Sequence, residues 1–339
     1  MKAKYVVTII IVFLVLLMCC LPLILCTFSL FLPSSTTMQS IVGTYRDEYG
    51  LEEKKIYFTG DKESFSEKKI AVIDISGMIT YKTNLAYPSY GDSSVIISAL
   101  NKAYADENVK VVLLKLNTPG GEVAAAESIC NTIRKVDEVK PVYAFVDSEA
   151  ASLGYLLANC TRYIYSTPLS ITASIGVISM VTDLNGIIER IGGKVSIITN
   201  TEGKSKAGGG LFDENSDGYK SFKTLLDQTY DKFVDYVYAG RTRSGANVSK
   251  EEIKRIADGR VVSGLTAKEL RLVDELSEYH EIRGKIAIKE GLSDNPVMVE
   301  YKLPDDPFGE IFKGLGLLAP SLNNNQGSIK LLMQTTSPY

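Results

Sequence analysis

The chain has 339 residues, 45% of them hydrophobic, so it has enough apolar side chain to bury a full core once any targeting segment is set aside. Its 37 Lys and Arg against 40 Asp and Glu leave a formal net charge of −3 and no basic stripe, which excludes the electrostatic footprint of a nucleic-acid binder. Of five cysteines, Cys19, Cys20 and Cys26 sit in the N-terminal apolar run, which leaves no disulfide framework or CxxC metal knuckle; Cys130 and Cys160 are read as small buried hydrophobes that would bridge only if the fold brought them together.

After Lys2 and Lys4 no charged residue appears until Arg46, and the run from Val6 to Leu32 is longer than the roughly 20 apolar residues that cross a bilayer. A cleaved signal peptide is the alternative, but its apolar region is usually only about 7–15 residues and no Ala-x-Ala site follows. The expectation is an uncleaved anchor over 1–33. Both lysines precede it, so the positive-inside rule keeps the N-terminus cytoplasmic and places the rest outside. Residues 34–69 read as a stalk with one local strand or helix.

Regular organisation begins at Ile70. The β-branched run 69–81 and the run 109–121, which ends in Pro119-Gly120-Gly121, predict strands. Apolar residues at spacings of three and four predict helices over 93–110 and 122–136. A third strand is predicted over 140–147 and a helix over 148–160. Strands alternating with helices imply parallel pairing through crossovers, hence an α/β fold. The pattern continues through 162–170, 174–181, 185–192 and 194–200, and from Phe212 to about Ile286 it becomes strongly helical.

Ser152 precedes an apolar helix, whose first N–H groups are unpaired and partly positive and so suit a developing oxyanion. A second donor could come from the Gly120-Gly121 turn, where backbone can approach a bound carbonyl closely. Alone, a serine at a helix start is usually a cap and Gly-Gly after a strand usually a turn. A serine triad needs an imidazole, and the single histidine, His280, lies in a charged helical segment that reads as solvated surface. The remaining base is a lysine made neutral by burial. Lys204 and Lys206, in "EGKSKAGGG", have the apolar, glycine-rich setting this requires, and spacing does not choose between them. "GLGLLA" from Gly314 lacks the strand and crossover of a dinucleotide fingerprint, and "DENSDG" from Asp213 has Thr224 where a calcium loop needs Glu.

The blocks "LKLNTPGGEV", "KPVYAFVDSEAASLGYLLA", "ITASIGV", "EGKSKAG" and "ADGRVVSGLTAKELRLVDEL", in this order, resemble those of the signal peptide peptidase A (protease IV) family, serine–lysine membrane proteases of the Clp protease/crotonase superfamily. The resemblance runs from about Ile70 to about Ile286. It implies a repeated β-β-α superhelical fold behind an N-terminal transmembrane helix, with a peptidase domain over 70–300 and a tail over 301–339. It implies Ser152 as nucleophile, Lys206 as general base, Gly121 and the N–H of Leu153 as oxyanion hole, and Ser174 as the residue that orients the lysine. It implies no metal or cofactor, apolar peptides such as remnant signal peptides as substrates, and a homo-oligomeric ring or dome, an octamer in Gram-positive relatives. Leu153 and Leu156 depart from the family's Gly and Tyr, Ala173 from its Gly, and the lysine lies about two positions further from the serine. The alternatives are an inactive scaffold of the same fold and an acyl-CoA enzyme of crotonase type. Arg260, in the "DGR" block, is read as a structural residue that pairs with carboxylates across a subunit contact.

Overall fold

The computed structural model describes residues 49–58, 67–81, 88–194, 196, 198, 200, 202–203, 211–292 and 296–304. The expected anchor over 1–33, most of the expected stalk, both candidate lysines and the tail from 305 lie outside the described residues. No helix among the described residues is long and apolar enough to cross a membrane.

A mixed sheet organises the chain. Its strands are β1 (Glu52–Ile56), β2 (Lys69–Ser76), β3 (Val109–Thr118), β4 (Val142–Ala151), β5 (Tyr163–Ser166), β6 (Ile171–Ala173), β7 (Val261–Ser263), β8 (Glu275–Leu276) and β9 (Val297–Lys302). The main path runs β1-β9-β2-β3-β4-β5-β8, with β6 joined to β4 and β7 to β6. From β9 through β8 the path is parallel throughout, as the strand–helix alternation predicts, and antiparallel pairs occur at β1–β9 and β6–β7. The segment 34–69, expected to hold one local strand or helix, thus contributes the edge strand β1.

Parallel strands bury both faces, and side chains alternate accordingly. Ala71, Ile73, Val112, Leu114, Val142 and Ala144 belong to one core, while Ile70, Val72, Val111, Leu113, Tyr143 and Phe145 belong to the other. Each large aliphatic buried this way contributes about 1.5–3 kcal/mol. The first face is covered by α1 (Ser93–Ala105), α2 (Ala126–Asp137), α3 (Leu153–Ala158) and the C-terminal half of α5 (Asp217–Arg243), whose Phe233, Val234 and Val237 are buried. The second core is closed by α8 (Tyr279–Lys289) through Ile282 and Ile286. Three short α-helices, α4 (Asn185–Arg190), α6 (Lys250–Ile256) and α7 (Gly264–Glu269), and a single 3-10 turn at Val123–Ala125 complete the described elements.

Three readings change, and Arg260 finds a partner within its own chain. The helix expected over 148–160 begins only at Leu153, because β4 continues through a register shift and exchanges β5 for β6, with Glu149–Ala151 pairing Ile171–Ala173. Residues 174–181 form no strand, and Ile178 and Met180 are 91% and 87% exposed. Cys130 on α2 and Cys160 just after α3 form a disulfide, because helix packing brings their Cα atoms within 5.5 Å; they are buried, as read, but bonded. The Arg260 guanidinium pairs with Asp258 of its own chain, Nε donating to Oδ1 across 2.8 Å.

One buried ion pair locks α5 onto the sheet. Arg241, fully buried, donates to both carboxylate oxygens of Asp274 at 3.1 and 2.9 Å and to Asn159 Oδ1 at 3.1 Å. Asn159 is itself fully buried. Close approach is possible because the neighbouring helical position is glycine, where a Cβ on Gly240 would stand 2.2 Å from the Asn159 carbonyl oxygen.

Candidate active site

Two adjacent parallel strands end side by side, and the turns that follow them make the site. After β3 the chain passes through Gly120 and Gly121; after β4 it turns at Ser152 straight into α3. Ser152 has φ 50° and ψ −121°, a strained conformation for an L-residue, in the strand–turn–helix setting that presents a nucleophile at the end of a sheet. It stands in the N-cap position, yet its side chain accepts no capping bond. The hydroxyl is thereby left to the cleft that it lines.

The glycine turn fits against this elbow. A Cβ on Gly120, whose φ is +106°, would lie 2.8 Å from Ser152 Cβ and 3.0 Å from the Leu153 nitrogen. The Gly120 N–H donates to Thr118 Oγ1 at 3.1 Å, the Ile79 N–H donates to the Gly120 carbonyl at 2.8 Å, and the Glu122 N–H donates to the Ile79 carbonyl at 2.8 Å. Between them the N–H of Gly121 has no acceptor among the described residues. Gly121 tolerates no side chain, since a Cβ there would overlap the Ile79 carbonyl oxygen at 1.9 Å. The Leu153 N–H, at the first position of α3, has no carbonyl of its own helix to meet. Two backbone donors therefore flank the serine.

Ser174 lies on the far side of Ser152. The Ser152 N–H donates to the Ala173 carbonyl at 2.9 Å, and the next residue, Ser174, is held by the segment 258–260. Its N–H donates to the Arg260 carbonyl at 2.9 Å and its Oγ to the Gly259 carbonyl at 3.2 Å. With its proton so engaged, the Ser174 oxygen keeps lone pairs for a donor. Lys206, the expected donor, lies outside the described residues, as does Lys204. Burial raises the pKa of the Glu149 carboxyl, near the end of β4 before the serine. His280 is exposed on α8, against the opposite face of the sheet from α3, and does not share the site.

A cleft of about 820 Å³ opens beside Ser152, walled by Leu153, Leu156 and Val123 and closed by Phe233 and Tyr236 of α5. A second, of about 540 Å³, shares Val177 with it and continues along α5 past Leu226 and Tyr230. The sequence reading missed α5 as a wall, although Phe233, Val237 and Arg241 follow helical spacing. The resemblance singles out Gly121 within the Gly120-Gly121 turn; the positive φ of Gly120 and its contact with Ser152 have no signature in "PGG" beyond the glycine itself.

Comparison with known proteins bears on this arrangement. The model of peptidase family S49 matches residues 134–293. A Synechocystis protein named as a protease is 30% identical over 244 residues, 71% of this chain and 81% of that protein. An Enterococcus faecium protein named for signal peptide peptidase SppA is 28% identical over 291 residues, 83% of this chain and 79% of that protein. Protease 4 of Haemophilus influenzae is 29% identical over 290 residues, 80% of this chain but only 45% of its own length.

Proposed function

The chain belongs to peptidase family S49 and is a serine peptidase, and from that premise we propose that it is a membrane-anchored endopeptidase that cuts apolar peptides, remnant signal peptides among them, with a Ser152–Lys206 dyad. The observation that carries this reading is the Ser152 elbow. Its hydroxyl caps nothing, lines an apolar cleft and stands between two backbone turns with N–H groups to offer.

In the proposed reaction, Ser152 Oγ attacks the scissile carbonyl carbon while Lys206, present as a neutral amine, takes its proton. The N–H groups of Gly121 and Leu153 hold the oxyanion, an interaction strongest in the transition state. The tetrahedral species collapses, the leaving amine takes the proton back from Lys206, and water releases the acyl group from Ser152 by the same route. Ser174, its own proton on Gly259, accepts from the lysine and orients it. No metal or cofactor enters these steps.

Further features support the setting. The Cys130–Cys160 disulfide suits an oxidising compartment, in keeping with a catalytic domain outside the cytoplasm behind an anchor over 1–33, a linker over 34–69, a peptidase domain over 70–300 and a tail over 301–339. The parallel sheet with strand-switching at β4 fits a Clp protease/crotonase-like β-β-α superhelix. The exposed apolar side chains of Ile178, Met180, Ile191 and Ile198 support a homo-oligomeric ring or dome, with an octamer as the expected size.

A pH–rate profile on an apolar fluorogenic peptide tests the reading. Wild type should show a rate limb set by a lysine of depressed pKa, and Lys206→Met should lose both the limb and the activity. Full activity in Lys206→Met would sink the dyad as assigned; if Lys204→Met were then dead, the base would lie two residues earlier.

A further inference from the structure

We infer that Arg134 is a specificity-determining residue that reads a carboxylate on the bound peptide, inside the cleft that Ser152 opens into. The inference rests on the peptidase reading and deepens it by naming substrate chemistry. Arg134 lies on α2 about two turns beyond Ala126, which lines the same cleft. Arg134 itself lines that cleft, together with Leu153 and Leu156.

The surroundings of Arg134 leave its charge unspent. Its guanidinium sits over the Tyr236 ring, 5.0 Å from the centroid, a cation–π contact between α2 and α5. Its Nε is buried and has no hydrogen-bond partner among the described residues. None of the described carboxylates that line the same cleft pairs with Arg134: Asp235 pairs with Lys250, Asp231 is 3.9 Å from Lys254 Nζ, and Glu127 is exposed. A buried donor without an acceptor is costly. A planar guanidinium beyond apolar walls matches a carboxylate carried on an apolar stretch of peptide, which it grips in a forked pair. That carboxylate has two sources. One is an acidic side chain near the scissile bond; the other is the free α-carboxylate of a peptide already released from a longer chain.

Binding of labelled peptides by fluorescence anisotropy decides the matter, using the full-length chain in detergent with Ser152→Ala so that nothing is cut. Two pairs of one apolar sequence are compared: free acid against C-terminal amide, and internal Glu against Gln with the terminus amidated. At least one acid should bind about tenfold tighter than its amide partner. Adding Arg134→Met should bring that ratio to about one, and Arg134→Lys should keep part of it. The ratio cancels any loss of folded protein, and the pair that discriminates names the source. A ratio near one for both pairs with Arg134 present, a ratio that persists in Arg134→Met, or no binding of any peptide overturns the inference. Failure of wild type to cut these peptides would count against the endopeptidase reading while the binding ratio still judged Arg134.

Discussion

The N–H of Ser152 donates to the carbonyl of Ala173 across 2.9 Å, and both residues have positive φ, 50° and 69°. The bond joins the ends of β4 and β6, so the strained turn that presents the serine is held by the turn that leads into Ser174. Neither conformation is one an isolated peptide would favour, at a cost of order 1–3 kcal/mol each; the pairing of Glu149–Ala151 with Ile171–Ala173 holds both in place.

The first prediction separates a nucleophile from a cap. Because the Ser152 side chain accepts no N–H bond from α3, Ser152→Ala should leave urea stability within about 0.5 kcal/mol of wild type, where loss of a true N-cap costs typically about 1 kcal/mol. Peptide turnover should fall by more than about a thousandfold. Retained turnover with a clear loss of stability would identify a cap.

Ala173 stands where relatives of the resembled family carry Gly, and its left-handed φ costs roughly 1–2 kcal/mol. Ala173→Gly gives up a buried methyl and adds chain entropy, together about 1–2 kcal/mol, and so should be close to neutral. Ala144→Gly, in the regular part of β4 and equally buried, has the same losses with no strain to relieve. Urea midpoints that fall alike for the two variants would contradict the strain argument.

The disulfide closes a loop with a sequence separation of 30, a constraint worth about 3–4 kcal/mol in chain entropy. The double variant Cys130→Ala, Cys160→Ala should lose stability of that order. In wild type unfolded without reductant, peptide mapping after alkylation should find both positions unlabelled; a labelled Cys130 or Cys160 would show free thiols.

Acid should loosen the clamp on Ser174. Hydrogen bonds from Arg260 hold the exposed Asp258 carboxyl at about 2, below its ordinary 3.8. A depressed carboxylate pKa contributes stability that is complete above about pH 4 and fades as pH falls through 3.8 toward 2. Since Gly259 and Arg260 supply the acceptors for Ser174, hydrogen exchange at the Ser174 amide should accelerate in that window relative to core amides, and Asp258→Asn should remove the pH dependence. An Asp258 titration centred near 4 would refute the depressed pKa.

Much of this architecture was legible because its signals are local. The β-branched runs at 69–76 and 109–118 needed no partner to be recognised, and Ile129, Ile133 and Val136 announce the buried stripe of α2 at helical spacing. The misread stretch is the one next to the serine. "SEAA" has helix-forming residues, but β6 offered it a strand partner, and tertiary pairing outweighed a propensity worth tenths of a kcal/mol per residue. Arg241 gave no warning of full burial either, because what makes that burial tolerable is Asp274 and Asn159, 33 and 82 residues away.

The amino-acid order by itself determined the strand–helix alternation, the glycine turn after β3 and the presence of a single imidazole in the chain, since each depends on residue type and short-range periodicity. Only the tertiary structure decided that the Ser152 hydroxyl caps no helix, that Cys130 meets Cys160 and that Arg134 faces the cleft beside Tyr236. Those outcomes depend on which distant segments pack together, and no local pattern encodes a distance between residues that first meet when the helices close over the sheet.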